Sequence, residues 1–222
     1  MKIIAEIPAR FGSQRVKNKN LRLLSGKPMI SYAIEAAKES TLLSEIYVNS
    51  DSDEIGELGK SLGVKYYKRP KHLATDTATS DDYNYDFIKS IQPDLLVQVN
   101  PVNPLVMGKD IDDIIKYFLA KDIDSLITVR EERLQAFCNG ESINFNVEEQ
   151  LPRTQDIPPV YICVWPVCIW KKDTFMKNYE EQGHAIFSGR FDLYPVSAEM
   201  SLKISYEEDF IFAEKLLKLR NI

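Results

Sequence analysis

The sequence predicts an α/β protein, and three observations carry that prediction. Over the first two thirds of the 222 residues, short apolar runs alternate with helical patterns, which is how a mostly parallel sheet covered by helices is written. A cation-rich loop with one glycine follows the first apolar run, where sheets of this class bind ligands. The alternation then stops, because 135–155 is polar and turn-rich while 161–170 is densely apolar and aromatic. Together these describe a three-layer, Rossmann-like, mostly parallel sheet forming a single domain over 1–222, with 131–170 as a small protruding hairpin region. A chain with 44% hydrophobic residues has enough apolar surface for one substantial core.

Taken in order, strands are predicted at 2–7, 45–49, 65–67, 95–99 and 125–129, and helices at 29–38, 53–62, 81–91 and 109–120. Ile30, Ala33, Ile34 and Ala37 recur at helical spacing. Ser50 or Asp51 is suited to cap the helix that follows, and Gly63 to end it. Asp76 or Thr77 is suited to cap the helix after Ser80. The apolar run at 161–170 fits either a strand buried within the monomer or a dimer contact. Phe210, Ala213, Leu216 and Leu217 form one stripe of a closing helix.

Charge and composition exclude several classes of function. A net charge of −5 with a pI near 5.2 offers no general attraction to nucleic acid or an anionic membrane. No apolar run approaches the roughly 20 residues of a membrane-spanning helix, and the first residues lack a secretory core, so a cytoplasmic location is expected. Cys138, Cys163 and Cys168 lack paired spacing and nearby histidines, which predicts buried free thiols. His72 and His184 are too few and too far apart for a zinc site or a triad.

Against this acidic background one basic loop stands out. Pro8-Ala9-Arg10-Phe11-Gly12-Ser13-Gln14-Arg15-Val16-Lys17-Asn18-Lys19-Asn20 carries four cations. Gly12 allows backbone N–H groups close to an anion, and Arg10 and Lys19 can neutralise a triphosphate. A solvated basic loop is the alternative. Neither GxxxxGK[ST] nor GxGxxG occurs.

Two motifs in order give the loop more meaning. The first runs Ile7-Pro8-Ala9-Arg10-Phe11-Gly12-Ser13, then Lys19-Asn20 and Gly26-Lys27-Pro28-Met29; the second is Arg69-Pro70 through Leu73-Ala74, Asp76-Thr77-Ala78 and Ser80. Both resemble the cytidylyltransferase family that makes CMP-activated acidic sugars, and the resemblance spans the chain nearly end to end. It implies CTP as donor, an acidic sugar (a nonulosonic or octulosonic acid) as acceptor, pyrophosphate as leaving group, Mg²⁺ as cofactor and a homodimer. It further implies that the catalytic cations are Arg10 and Lys19. The nucleotide would be held by Ala9, Arg10, Gly12, Ser13, Lys19, Asn20, Arg69, Ala78 and Ser80, and the acceptor by Asn100, Arg153 and Gln155. From the residues alone, Arg153 is equally an exposed loop arginine.

The acceptor side departs from the family pattern. Lys203 and Ser205 stand where the family carries Asp-Ile-Asp, and Val102 stands where the octulosonate enzymes carry aspartate. Hard cations require oxygen ligands, so the metal ligands are unassigned. Asp81, Asp82, Glu207, Glu208 and Asp209 are suited to helix N-termini instead. Three alternatives stay open: an enzyme on an unusual acid sugar with Lys203 replacing part of the cation's role, a nucleotide-binding paralogue without turnover, or a cytidylyltransferase with a different acceptor.

Overall fold

The computed structural model describes residues 1–12 and 16–220. In chain order the strands are β1 (Ile3–Pro8), β2 (Leu23–Leu24), β3 (Lys27–Pro28), β4 (Glu45–Ser50), β5 (Lys65–Lys68), β6 (Leu95–Val99), β7 (Ser125–Glu132), β8 (Phe137–Cys138), β9 (Glu141–Ser142), β10 (Val160–Lys171) and β11 (Phe191–Pro195). The helices are α1 (Ile30–Glu39), α2 (Asp53–Ser61), α3 (Ser80–Ile91), α4 (Gly108–Leu119), α5 (Lys172–Gln182) and α6 (Glu207–Leu219).

One seven-stranded sheet has the order β11-β7-β10-β6-β1-β4-β5. Every pairing is parallel except those of β10, which is antiparallel to both β6 and β7. Because side chains alternate across a strand, β1 divides the interior. Ile3, Ala5 and Ile7 pack with Ile30, Ile34, Ile111 and Ile115 of α1 and α4. Ile4 joins Phe87 and Ile88 of α3, Trp170 of β10 and Phe175 of α5 on the other face. A third apolar cluster joins Val16, Leu24, Met29 and Tyr32 to Leu105, Ile204, Phe210, Ala213 and Leu217. This cluster bolts α6 onto the segment after the basic loop, and Arg22 lies 4.0 Å from the centroid of the Phe210 ring.

All predicted strands and helices form, with ends shifted by a few residues. The caps differ. Ser50 is buried at the end of β4 and accepts from the Ser52 N–H, while Asp51 accepts from the Phe11 N–H, so Ser52 caps α2 by accepting from Ile55. Asp76 is engaged with Arg10 and Thr77 with Thr75, and neither caps α3. Thr79 does so in a reciprocal box with Asp82. Gly63 turns the chain after α2 at a φ of +83°. Only Cys168 is buried as predicted; Cys163 is half-buried and Cys138 exposed on the β8–β9 hairpin.

Within 131–170, the inner half of β10, from Val167 to Trp170, is fully buried, whereas Tyr161 and Ile162 are exposed. The halves are separated by a register shift between Cys163 and Cys168, where Trp165 adopts a φ of +65°. The buried-strand alternative therefore holds for the inner half of this run, while the outer half presents an apolar surface. Helix α5 and strand β11 were not predicted. Phe175 is the one buried residue of α5, so its sequence carries almost no apolar stripe.

Several polar residues interrupt the apolar interior, Glu6 among them. Strands of a doubly covered parallel sheet are ordinarily apolar throughout, yet Glu6 at the centre of β1 is fully buried. Burial pushes its carboxyl up to about 7, against the opposing pull of Arg69 and the hydrogen bond from Asn49.

Two predictions follow from this packing. Phe210→Ala is expected to destabilise the protein by about 3–5 kcal/mol, read by chemical denaturation; a loss below about 1 kcal/mol would show that the third cluster is not structural. For Glu6, the folded state binds the proton more tightly than the unfolded state. Its contribution is therefore fully present below the ordinary carboxylate range and is lost as pH rises to about 7. At about 1.4 kcal/mol per tenfold change in proton affinity, the loss is on the order of 3 kcal/mol. Glu6→Gln should flatten stability between pH 5 and 8 relative to wild type, and an unchanged slope would contradict the assignment.

Candidate functional site

The carboxyl ends of β1, β4, β5 and β6 open on one cleft, as parallel topology requires. Pro8 ends β1, Arg69 follows β5 and Asn100 follows β6. The cleft has two adjoining lobes that share Pro8, Arg10, Tyr83 and Asn100. The smaller, about 260 Å³, is completed by Arg69, Leu73, Thr75, Asp76, Ala78 and Ser80. The larger, about 470 Å³, is completed by Lys19, Asn20, Pro101, Val102, Lys203 and Ser205.

The basic loop is anchored from both sides. Ala9 is buried and its N–H donates to the Asn49 carbonyl at 2.9 Å. Asn20, also buried, donates to the Arg10 carbonyl at 3.1 Å, while its Oδ1 lacks a hydrogen-bond partner among the described residues. Lys19 Nζ donates to the Ile204 carbonyl at 2.8 Å. The segment carrying Lys203 is held in turn, since the Ile204 N–H donates to the Val102 carbonyl at 2.8 Å and Asn103 Nδ2 to the Leu202 carbonyl at 3.1 Å. Packing of α6 thus brings Lys203 to the same lobe as Lys19, although the two are 184 positions apart.

Arg10 stands between the lobes. Its Nη1 donates to the Thr75 carbonyl at 3.1 Å and to Asp76 Oδ1 at 2.6 Å, tying the basic loop to the Arg69–Ser80 motif. With a third of the Arg10 side chain and more than half of Asp76 exposed, this pair is weak enough for an anion to compete with it. Arg69 is buried, with Nε donating to Asn49 Oδ1 at 3.0 Å and its guanidinium 4.2 Å from the Tyr83 ring centroid. Burial raises the Tyr83 hydroxyl further above its ordinary range, so it stays neutral.

The structure thus brings together Arg10, Lys19, Asn20, Arg69, Ala78, Ser80 and Asn100. Gly12 lies on a shallower recess with Phe11, Lys17 and Asn18, and a Cβ there would meet open space. Ser13 lies outside the described residues. Arg153 and Gln155 are not brought to the cleft: Gln155 sits on the exposed 3-10 turn Thr154–Asp156 and Arg153 immediately before it, where Arg153 Nε donates to Asp156 at 2.6 Å. Tyr83, shared by both lobes, was missed; its signal is the spacing Ser80, Tyr83, Asn84, Phe87 on one face of α3.

The donor set does not fit a divalent cation held by the chain. Lys203, Ser205 and Val102 line the larger lobe without a carboxylate, and Asp76 at the smaller lobe faces Arg10. Asp81 accepts from the Ala185 and Ile186 N–H groups, Asp82 caps α3, Glu207 pairs with Arg22, and Asp209 accepts from the Ser205 and Tyr206 N–H groups. Among the described residues no cluster of three or more His, Cys, Asp or Glu is arranged to hold a metal. No helix among them is long and apolar enough to cross a membrane.

Comparison with known proteins bears on the family and the fold. Residues 4–158 match the family model described as Cytidylyltransferase. An N-acylneuraminate cytidylyltransferase of Streptococcus agalactiae serotype V is 31% identical over 95% of this chain, which spans 52% of that relative's length. The chain thus spans about half the length of the first relatives it matches. A CMP-N,N'-diacetyllegionaminic acid synthase of Campylobacter jejuni is 28% identical over 99% of this chain and 97% of its own. In fold, a CMP:2-keto-3-deoxy-manno-octonic acid synthetase solved with CTP superposes with a TM-score of 0.74, covering 99% of this chain and 100% of its own at 15% identity. With a family model covering most of its length and a relative 31% identical across nearly all of it, this chain belongs to the cytidylyltransferase family.

Proposed function

We propose that the protein binds CTP and transfers its CMP moiety to an acidic sugar, releasing pyrophosphate. The observation that carries this is the convergence of Arg10, Lys19 and Lys203 on one lobe beside a second lobe lined by Arg69, Ala78 and Ser80. The larger lobe takes the triphosphate and the smaller lobe the cytosine. An acceptor hydroxyl oxygen forms a bond to the α-phosphorus and gives up its proton to solvent as the bond from that phosphorus to the bridging oxygen breaks, and the charge that develops on the leaving pyrophosphate is met by the cations. Asn20 Oδ1 and the loop backbone at Ala9 and Gly12 shape the nucleotide side.

Asn100, shared by both lobes, is assigned to the acceptor. Arg153 and Gln155 retain that assignment on resemblance alone. Charge neutralisation is given to side chains, with Mg²⁺ entering as the counterion that a nucleoside triphosphate carries into the cleft. The same proposal includes a cytoplasmic homodimer serving glycan synthesis, its contact on the exposed outer half of β10 at Tyr161 and Ile162. The names of the relatives support acidic acceptors, namely acylneuraminate and legionaminic acid.

A second alternative, nucleotide binding without turnover, is favoured by one observation, the lysine, serine and valine at the family's carboxylate positions. Pyrophosphate release during incubation with CTP, Mg²⁺ and a panel of nonulosonic and octulosonic acids separates the two. Release with at least one acid supports transfer; CTP binding with silence across the panel supports the alternative.

Two variants test the lobe itself. Lys19→Ala is expected to weaken CTP binding about 10- to 100-fold by calorimetry, the value of a hydrogen bond to a charged group; unchanged affinity would remove the triphosphate from the larger lobe. Lys203→Ala should lower pyrophosphate release by a similar factor at saturating Mg²⁺. A rate equal to wild type would show that Lys203 takes no part in offsetting phosphate charge.

A further inference from the structure

Beneath the smaller lobe lies a set of polar side chains that the cleft itself does not use. Glu6 of β1, Asn49 of β4, Gln98 of β6 and Asn84 of α3 are each buried. Strand alternation sends the first three to the α3 face of the sheet, among Ile4, Phe87 and Leu96. An uncompensated polar group here is costly, and a carboxylate more so. Two of their atoms, Glu6 Oε2 and Asn84 Nδ2, lack a hydrogen-bond partner among the described residues.

The polarity of the contacts indicates what the set does. Asn49 Nδ2 donates to Glu6 Oε1, and Asn49 Oδ1 accepts from Arg69 Nε at 3.0 Å. The Asn49 carbonyl oxygen accepts from Arg69 Nη2 at 3.1 Å. An ionised carboxylate only accepts and a guanidinium only donates, so the Asn49 amide between them has one satisfactory orientation. That orientation, with the Tyr83 ring on the other side, holds the Arg69 fork in the wall of the lobe, where Nη1 makes no hydrogen bond to a described residue.

We infer that Glu6 is a positioning residue of the nucleotide site, acting through Asn49 to fix the Arg69 guanidinium, and that its ionisation state sets nucleoside affinity. The inference rests on the nucleotide assignment above and adds to it a residue that does not line the cleft. A proton on Glu6 lets the carboxyl donate to Asn49 Oδ1. The Asn49 amide then has two satisfactory orientations instead of one; in the reversed one its NH₂ faces the Arg69 Nε donor, and the guanidinium, left with its Nη2 bond to the Asn49 carbonyl, loses its fixed direction.

Charged and titratable groups facing Glu6 are Arg69 after β5, Tyr67 on β5, and Tyr83 and Asp86 on α3. Both tyrosine hydroxyls are raised above their ordinary range, Tyr67 to about 12, and remain neutral near pH 7. Arg69 favours the ionised form of Glu6, whereas Asp86 and burial oppose it. The balance puts the change of state at about pH 7, and nucleoside binding strengthens as pH rises through it.

Cytidine is the suitable probe, because it lacks the phosphate whose own titration would mask the effect. Its affinity for the full-length wild-type chain, measured by calorimetry from pH 5.5 to 8.5, should rise about fivefold, less than the full effect of a hydrogen bond to a charged group because Arg69 is redirected and not removed. Glu6→Gln should abolish that rise, and Glu6→Leu should bind about fivefold more weakly at pH 8 while melting no lower than wild type, which separates lost positioning from lost folding. His72→Gln, on the 3-10 turn beside the lobe, should keep the rise. A wild-type profile without a rise, or a rise that survives in Glu6→Gln, overturns the inference while leaving the nucleotide assignment standing. Absence of both cytidine and CTP binding in wild type overturns both.

Discussion

The structure depends on the accumulation of positive charge in one cleft of an acidic protein. Arg10, Lys19 and Lys203 come from opposite ends of the chain, and bringing like charges together is unfavourable unless packing compels it. The compulsion is supplied by the apolar cluster of Val16, Leu24, Met29, Ile204, Phe210 and Leu217. Burying several such side chains, each worth roughly 1.5–3 kcal/mol, outweighs the repulsion of partly solvated cations. Backbone hydrogen bonds from Ile204 to Val102 and from Lys19 to Ile204 then set the depth at which the ammonium groups lie. The cleft constructed in this way presents three cations to one lobe, and the proposed function uses them to hold an anion.

A second theme is polarity placed where the fold alone would not put it. The neighbours of Glu6 along the same sheet face, Ile4 and Leu96, are what a covered parallel sheet demands. Glu6, Asn49 and Gln98 lie toward the carboxyl ends of their strands, where the sheet meets the cleft. Consistency between levels of structure fails here, and such failures concentrate at sites that bind or react. On the positioning inference, the polar side chains beneath α3 give the Arg69 guanidinium a fixed direction.

Much of this was legible in the sequence, for reasons that differ from element to element. β1, β6 and α1 are covered by other layers, so burial imprints an apolar pattern that periodicity detects. The basic loop and the Arg69–Ser80 motif were visible as chemistry, and their juxtaposition followed from parallel topology. What escaped lacked such an imprint. Helix α5 buries little beyond Phe175, and β11 is an edge strand with half-exposed residues. The Thr79 cap was obscured because Asp76 and Thr77 offered equivalent chemistry, and only the tie between Arg10 and Asp76 decides among them. Tyr83 and Asn49 act through contacts distant in sequence, which no local pattern records. Arg153 was legible as a cation but not as one on an exposed segment away from the cleft, where it pairs locally with Asp156.

On the proposed function, Lys203, Ser205 and Val102, standing where the resemblance implies carboxylates, mean a different way of meeting phosphate charge on the same scaffold. A carboxylate pair would recruit a divalent ion and borrow its charge; a lysine brings charge that is covalently attached but cannot bridge two oxygens. The most direct test of this account is a crystal structure of the protein with CTP. It should show the three phosphates in the larger lobe, within hydrogen-bonding distance of Arg10, Lys19 and Lys203, and the cytosine in the smaller lobe against Arg69, Ala78 and Ser80. Nucleotide density at another surface, or phosphates directed away from these three cations, would contradict it.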